Sequence, residues 1–211
     1  MLSSFPLDYL VAATVTLVVV MDPLGLVPIF LAITQGIPKA ARRQVALRAA
    51  VIAAIILAGA ALIGDWLLRA LSISLPAFRI AGGLLLFSIA SEMVFGVRIR
   101  RQSEDAEKAI DEHVRNLSAF PLAIPLMAGP GAITATVLLS GRAAGEPMLL
   151  ALLLGVIVLA CLLCLVLFLA AEPIGAAIGG TVNVVLERLL GVLLAALAVQ
   201  FVVDGAKAIW G

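Results

Sequence analysis

The sequence predicts an all-α membrane protein of six transmembrane helices, arranged as two inverted three-helix repeats with discontinuous first and fourth helices. Three observations carry this expectation. Hydrophobic residues make up 64% of the 211 residues and charged residues only 13%, with a mean hydropathy of +1.22; a soluble domain could not cover its surface with that composition. Six apolar stretches are long enough to cross a hydrocarbon core. Two of them, the first of each half, are interrupted by helix-breaking motifs, Asp22-Pro23-Leu24-Gly25 and Gly129-Pro130-Gly131.

The first stretch runs from Leu7 to Gln35, with Asp22 near its centre. A carboxylate at that depth costs roughly 2.5 to 3.5 kcal/mol on insertion scales, so it is expected to face protein or water. Asp caps free helix amides well, and Pro suits a first helical position. Asp22-Pro23 therefore reads as the end of one half-helix and the capped start of another. Thr14, Thr16 and Thr34 flank the break, where a bond from threonine to its own helix carbonyl competes with a ligand contact.

The second stretch, Val45 to Leu68, carries Ala46, Ala49, Ala50, Ala53 and Ala54, small residues suited to close helix packing. The third, Pro76 to Gly96, places Ser88, Ser91 and Glu92 on one face. A polar segment, 97–117, follows with five basic and five acidic residues. It divides the chain into repeats at 1–96 and 118–211, and its charges, with the lone His113, read as a solvated cytoplasmic linker.

The fourth stretch, Phe120 to Ser140, holds the second break, with Thr134 and Thr136 within two turns of Pro130. Flanking glycines leave backbone amides open to a ligand. The fifth, Met148 to Ala171, contains Cys161 and Cys164, read as packed thiols because an apolar span offers no accessible thiolate. The sixth, Val184 to Trp210, aligns Glu187-Arg188-Leu189-Leu190-Gly191 with Phe78-Arg79-Ile80-Ala81-Gly82 of the third, and sets Gln200, Asp204 and Lys207 on one face. A three-span unit crosses an odd number of times, so its copy is inserted upside down, the plan of secondary transporters that bind solute between repeats.

Lys39, Arg42, Arg43 and Arg48 follow the first stretch, and Arg98, Arg100, Arg101, Lys108 and Arg115 follow the third. Both connections are expected in the cytoplasm and both termini outside, with Trp66, Trp210 and Tyr9 at the outer boundary. No cleaved leader is expected, since the first stretch runs straight into Asp22-Pro23.

No enzyme constellation is present: there is no H-E-x-x-H helix, no Walker lysine and no histidine placed for a triad. No metal or organic cofactor is expected, and the net charge of +1 gives no reason for a nucleic-acid partner. Transport would draw on a proton or sodium gradient. Asp22 is then the expected coupling carboxylate, unless it serves only as a helix cap. The expected solute site comprises Asp22, Pro23, Gly25, Gly129, Pro130, Gly131 and Thr134, with Thr34, Glu92 and Gln200 as secondary candidates. The expected partners are the bilayer, a small zwitterion and a second copy of the chain.

The runs Asp22 to Phe30 and Phe120 to Ile133, with the two Arg-x-x-Gly helices, resemble the MarC family of small bacterial and archaeal membrane proteins, over essentially the whole chain. The resemblance implies six spans of the LysE-like type in an inner membrane. Some such proteins are described as carriers of small neutral amino acids, whereas the family name reflects a genetic link to antibiotic resistance. A small zwitterion fits two half-helix amino ends and one carboxylate, and aromatics at 5% leave little for a drug pocket. A broad or drug-directed exporter, a channel and a non-transporting scaffold are the alternatives.

Overall fold

A computed structural model describes residues 5–98, 101, 117–177 and 180–210. These residues form helices and turns, with no strand among them. Helix α1 spans Phe5–Met21, α2 Leu26–Ile33, α3 Lys39–Ala70 and α4 Leu75–Val94. After the linker come α5, Ser118–Met127, then α6, Pro130–Arg142, α7, Pro147–Leu169, α8, Ala171–Ala177, and α9, Gly180–Trp210.

Helices α3, α4, α7 and α9 are each long and apolar enough to cross a membrane. Two further crossings result if each bent pair counts as one span: α1 with α2, bent by 42°, and α5 with α6, bent by 56°. The outward faces are apolar as well as the core. Ile55, Leu84, Leu159 and Val192 all stand exposed, as helices in hydrocarbon require.

Local sequence explains the breaks. The N–H of Asp22 closes the last turn of α1 onto Val18 O at 3.0 Å. Asp22 then adopts a positive φ of 50°, a left-handed conformation that Asp tolerates better than most residues. Pro23 cannot donate, so the chain turns through Leu24 and Gly25 before α2 begins. Pro23 thus lies in the turn, three residues ahead of Leu26, the first position of the second half-helix.

In α5, Pro121 and Pro125 remove two donors from a ten-residue element. The segment widens into π-type turns, shown by the bond from Ala128 N–H to Ala123 O, five residues back, at 2.8 Å. The fourth stretch is therefore not one kinked α-helix. Its first half has π geometry and only its second half, α6, is α-helical. Ser74 caps α4 through Oγ, which accepts from Ala77 N–H at 3.3 Å, with Pro76 in the first turn.

Helices α4 and α9 run antiparallel and pack along their length through glycines. A Cβ on Gly83 would stand 2.7 Å from both Ala198 O and Val202 Cγ2. A Cβ on Gly191 would stand 3.1 Å from Ala90 O and 3.0 Å from Val94 Cγ2. The two contacts mirror each other: Gly83 matches Gly191, Ala90 matches Ala198, and Val94 matches Val202. This register differs by one residue from the sequence alignment of Arg79 with Arg188, and it makes Glu187 the counterpart of Arg79 in the other repeat.

Candidate functional site

The second break and the end of α1 enclose a small recess. Its walls are Val20, Ile89, Glu92, Arg98 and Arg101 on one side and the run Pro125 to Ala132, apart from Ala128, on the other. The cavity is about 60 Å³, room for a few waters or one very small solute. Gly129 precedes α6 without offering a side-chain cap. The amides of Gly131 and Ala132, ahead of the first intrahelical bond from Ile133 N–H to Gly129 O at 3.0 Å, carry the positive end of the helix dipole.

The glycines are dictated by proximity. A Cβ on Gly129 would meet Pro125 O at 2.3 Å, and one on Gly131 would meet Ile89 Cδ1 at 2.5 Å and Val20 Cγ1 at 3.1 Å. The amino end of α6 therefore rests against the carboxyl end of α1 and the side of α4. Two half-helix amino ends were expected to meet; here it is the amino end of α6 that meets the carboxyl end of α1.

Arg98 closes the recess. It is only 7% exposed, with Nη2 donating to Val20 O at 2.7 Å and Nη1 lying 3.1 Å from Met93 Sδ. The reading of Arg98 as a solvated linker charge is thus corrected: hydrogen bonding to an orphan carbonyl at the end of α1 holds it inside. Its guanidinium lies within Coulombic reach of Asp22, Glu187, Glu92 and Arg101.

Asp22 is buried, and its Oδ1 accepts from Gly25 N–H at 3.2 Å. A Cβ on Gly25 would collide with Oδ2 at 2.2 Å, so glycine there admits the carboxylate. Asp22, Pro23 and Gly25 do not line the recess; they lie in the turn that follows Val20 and Met21. The 17 residues of α1 measure about 25 Å. The break accordingly lies toward the linker end of the bundle and not at its mid-depth.

Glu187 was overlooked as a site residue in the sequence. It is 2% exposed, and neither carboxylate oxygen has a hydrogen-bond partner among the described residues. Asp22 is therefore not the only buried carboxylate in the apolar stretches. Glu187 falls three residues inside the sixth, too near its end for the insertion-cost argument applied to Asp22 to flag it. Glu92 Oε1 accepts from Arg101 Nη1 at 2.6 Å, while its Oε2 is buried and has no partner among the described residues.

The remaining candidates are dispersed. Thr134 is buried with its methyl facing α4 at Gly82 and does not line the recess. Thr34 donates to Phe30 O at 2.6 Å and Thr136 to Ala132 O at 2.7 Å, both satisfied within their own helices. Gln200 donates to Asp204 Oδ1 at 2.6 Å, and Asp204 also accepts from Arg142 at 2.8 Å. That pair ties α6 to α9 at the opposite end of the bundle. Tyr9 is not an interfacial ring but is buried there, its hydroxyl donating to Leu139 O at 3.0 Å. Cys161 and Cys164 are buried free thiols, as expected from their apolar span. His113 and most of the linker lie outside the described residues.

The profile described as MarC family integral membrane protein matches residues 7–210. A UPF0056 membrane protein of Methanocaldococcus jannaschii is 37% identical over 210 residues, covering 95% of this chain and 97% of its own. The UPF0056 membrane protein YhcE of Escherichia coli is 35% identical over 189 residues, 90% of this chain and 87% of its own. YvbG of Bacillus subtilis, another UPF0056 membrane protein, is 33% identical over 202 residues and 95% of each chain. No solved structure matches. The similarity runs through both breaks and all the long apolar helices, and the chain is a multi-pass integral membrane protein belonging to the MarC family.

Proposed function

We propose that the protein is a secondary transporter of small neutral amino acids, glycine and alanine first, with no enzymatic activity. The observation that carries this reading is the recess at the amino end of α6. The amides of Gly131 and Ala132, with Arg98 and Arg101, suit a carboxylate, and the unpartnered Oε2 of Glu92 suits an ammonium. A cavity of about 60 Å³ favours the smallest zwitterions. In this reading Glu92 takes the ammonium role expected of Asp22, because Glu92 lines the recess and Asp22 does not.

Each bent helix pair then counts as one span, giving six spans in two inverted repeats. The mirrored contacts at Gly83 and Gly191 support that symmetry. The recess opens beside Arg98 and Arg101, at the end the positive-inside rule assigns to the cytoplasm, whereas the Arg142–Asp204 pair and the Tyr9 hydroxyl join the opposite end. The protein belongs, in this reading, to an inner membrane, with both termini outside and a proton or sodium gradient as its drive.

The test is uptake of radiolabelled glycine and alanine by proteoliposomes containing the purified protein, with proton and sodium gradients imposed separately. Saturable accumulation under one gradient, weakened by Glu92→Gln, is the expected result. Uptake that never saturates would identify a channel, and none of either solute under any gradient would overturn the reading.

A further inference from the structure

Asp22 and Glu187 reach the interior from opposite halves of the chain and lie within electrostatic range of one cation, Arg98. Asp22 stands in the turn after α1, Glu187 on α9, and Arg98 comes in from beyond the end of α4. All three are nine-tenths or more buried. Asp22 and Glu187 act electrostatically on each other, and both act on Arg98. Among the described residues, the other charges in range are Arg188 on α9, felt by Glu187, and the pair Glu92 and Arg101, felt by Arg98. Glu92 and Arg101 pair with each other through the hydrogen bond from Arg101 Nη1 to Glu92 Oε1 at 2.6 Å, and Arg188 is exposed.

Among the described residues, two buried carboxylates against one buried guanidinium leave the cluster one positive charge short. Asp22 Oδ1 is engaged by Gly25 N–H, and Arg98 is engaged by Val20 O. Glu187 alone has both oxygens buried and no partner among the described residues. An ionised carboxylate in that state is among the costliest arrangements a protein interior can hold. A proton on either oxygen removes the charge and supplies a donor. A metal cation would need several oxygens around it, and no group of three or more metal-ligating side chains occurs among the described residues.

We propose that Glu187 binds and releases one proton, and that its ionised form competes with Asp22 for Arg98. The step is a single proton exchange with water: the carboxylate takes a proton to become the neutral acid and returns it on ionisation. When Glu187 is protonated, Arg98 stays on Val20 O at the wall of the recess and is available to a solute carboxylate. When Glu187 ionises, it draws the guanidinium toward α9 and away from the recess. The inference deepens the carrier reading and rests on it for the role of Arg98 toward solute, but the proton site itself is testable without transport.

The test is infrared difference spectroscopy of the purified full chain in lipid nanodiscs, stepped from neutral to alkaline pH, following the carbonyl stretch of a protonated carboxyl group. The expected result is a band present at neutral pH, lost at alkaline pH, absent in Glu187→Gln and retained but shifted in Asp22→Asn. Glu187→Asp, which keeps a titratable group should the glutamine variant fail to fold, is expected to move the band without removing it. A wild-type spectrum with no such band, or a band unchanged in Glu187→Gln and Glu187→Asp, would overturn the proposal. Loss of the band on adding sodium at constant pH and ionic strength would also overturn it, assigning the site to a metal cation. A band that behaves as expected alongside no uptake in proteoliposomes would sink the carrier reading and leave the proton site standing; proton-driven uptake at the wild-type rate in Glu187→Gln would do the reverse.

Discussion

Arg98 Nη2 donates to the carbonyl of Val20 at 2.7 Å, joining the residue just past the end of α4 to the last turn of α1. The final carbonyls of a helix lack intrahelical donors, and a guanidinium near them also complements the negative end of the dipole. One side chain thereby satisfies α1, closes the recess and balances buried carboxylates.

Replacing Arg98 with Met keeps much of the apolar stem but leaves Val20 O without its donor and Asp22 without the cation in its electrostatic range. Losing a hydrogen bond from a charged group to a buried carbonyl costs about 1.5 to 3 kcal/mol. A thermal melt of the purified variant in detergent should show a large drop, with Arg98→Lys recovering part of it. An unchanged melting temperature in Arg98→Met would contradict the placement of this side chain.

Gly25→Ala should displace the Asp22 carboxylate without unfolding the bundle. The added methyl would strike Oδ2, the free end of a side chain that can rotate away. What is lost is the bond from Gly25 N–H, a charged hydrogen bond worth about 1.5 to 3 kcal/mol. The variant should be less stable by an amount in that range, and combining it with Asp22→Asn should add little. Full additivity of the two would refute the contact.

Gly83→Ala and Gly191→Ala should cost similar amounts. Each methyl would press on the facing helix, against a backbone carbonyl and a valine in both cases. Overpacking of this kind costs about 1 to 3 kcal/mol. A severe loss at one glycine with none at the other, read from denaturation in mixed micelles, would break the mirrored register.

Glu172 offers a pH prediction at the surface. Lys39 Nζ lies 3.2 Å from its Oε2 and Arg42 Nη1 2.9 Å from its Oε1, and the Lys39 hydrogen bond, with the charges of Lys39 and Arg42, holds the carboxyl below its ordinary range. A carboxyl lowered in the folded state contributes stability above its unfolded value, and that contribution fades as pH falls through the folded value. Wild type should therefore lose stability more steeply than Glu172→Gln on acidification below about pH 4.5. The difference will be small because the group is exposed, and parallel slopes for the two proteins would show that the tether contributes nothing.

Much of this fold was legible from residue types with strong local consequences. Pro23 and Pro130 announce breaks because proline cannot donate, and the length of the apolar stretches announces spans. The alanine-rich face of α3 is buried as expected, with Ala46, Ala49, Ala50 and Ala53 in the core. Cys161 and Cys164 likewise pack where an apolar span puts them.

The candidate site was only half legible. Gly129, Pro130 and Gly131 line it, and Glu92 joins them, yet Asp22 and Thr134 sit behind its walls. Arg98 was hidden because a charge at the head of a polar run looks solvated, and its burial depends on Val20, far away in sequence. Glu187 was hidden beside Arg188 in a repeat alignment set one residue off, since leucine-rich helices align almost equally well in adjacent registers. The wide turns of α5 depend on where Pro121 and Pro125 fall relative to each other, which apolar periodicity does not report.

The seam between α4 and α9 also limits how the protein can move. Sliding one helix past the other by a turn would bring Arg79 or Phe87 to the place of Gly83, and Glu187 or Ala195 to that of Gly191. The clearances at Ala198 O and Ala90 O leave no room for Arg79, Phe87 or Glu187. These two helices thus behave as a locked spine, resistant to shear. Any rearrangement that opens one end and shuts the other has to pivot the bent arms around that spine.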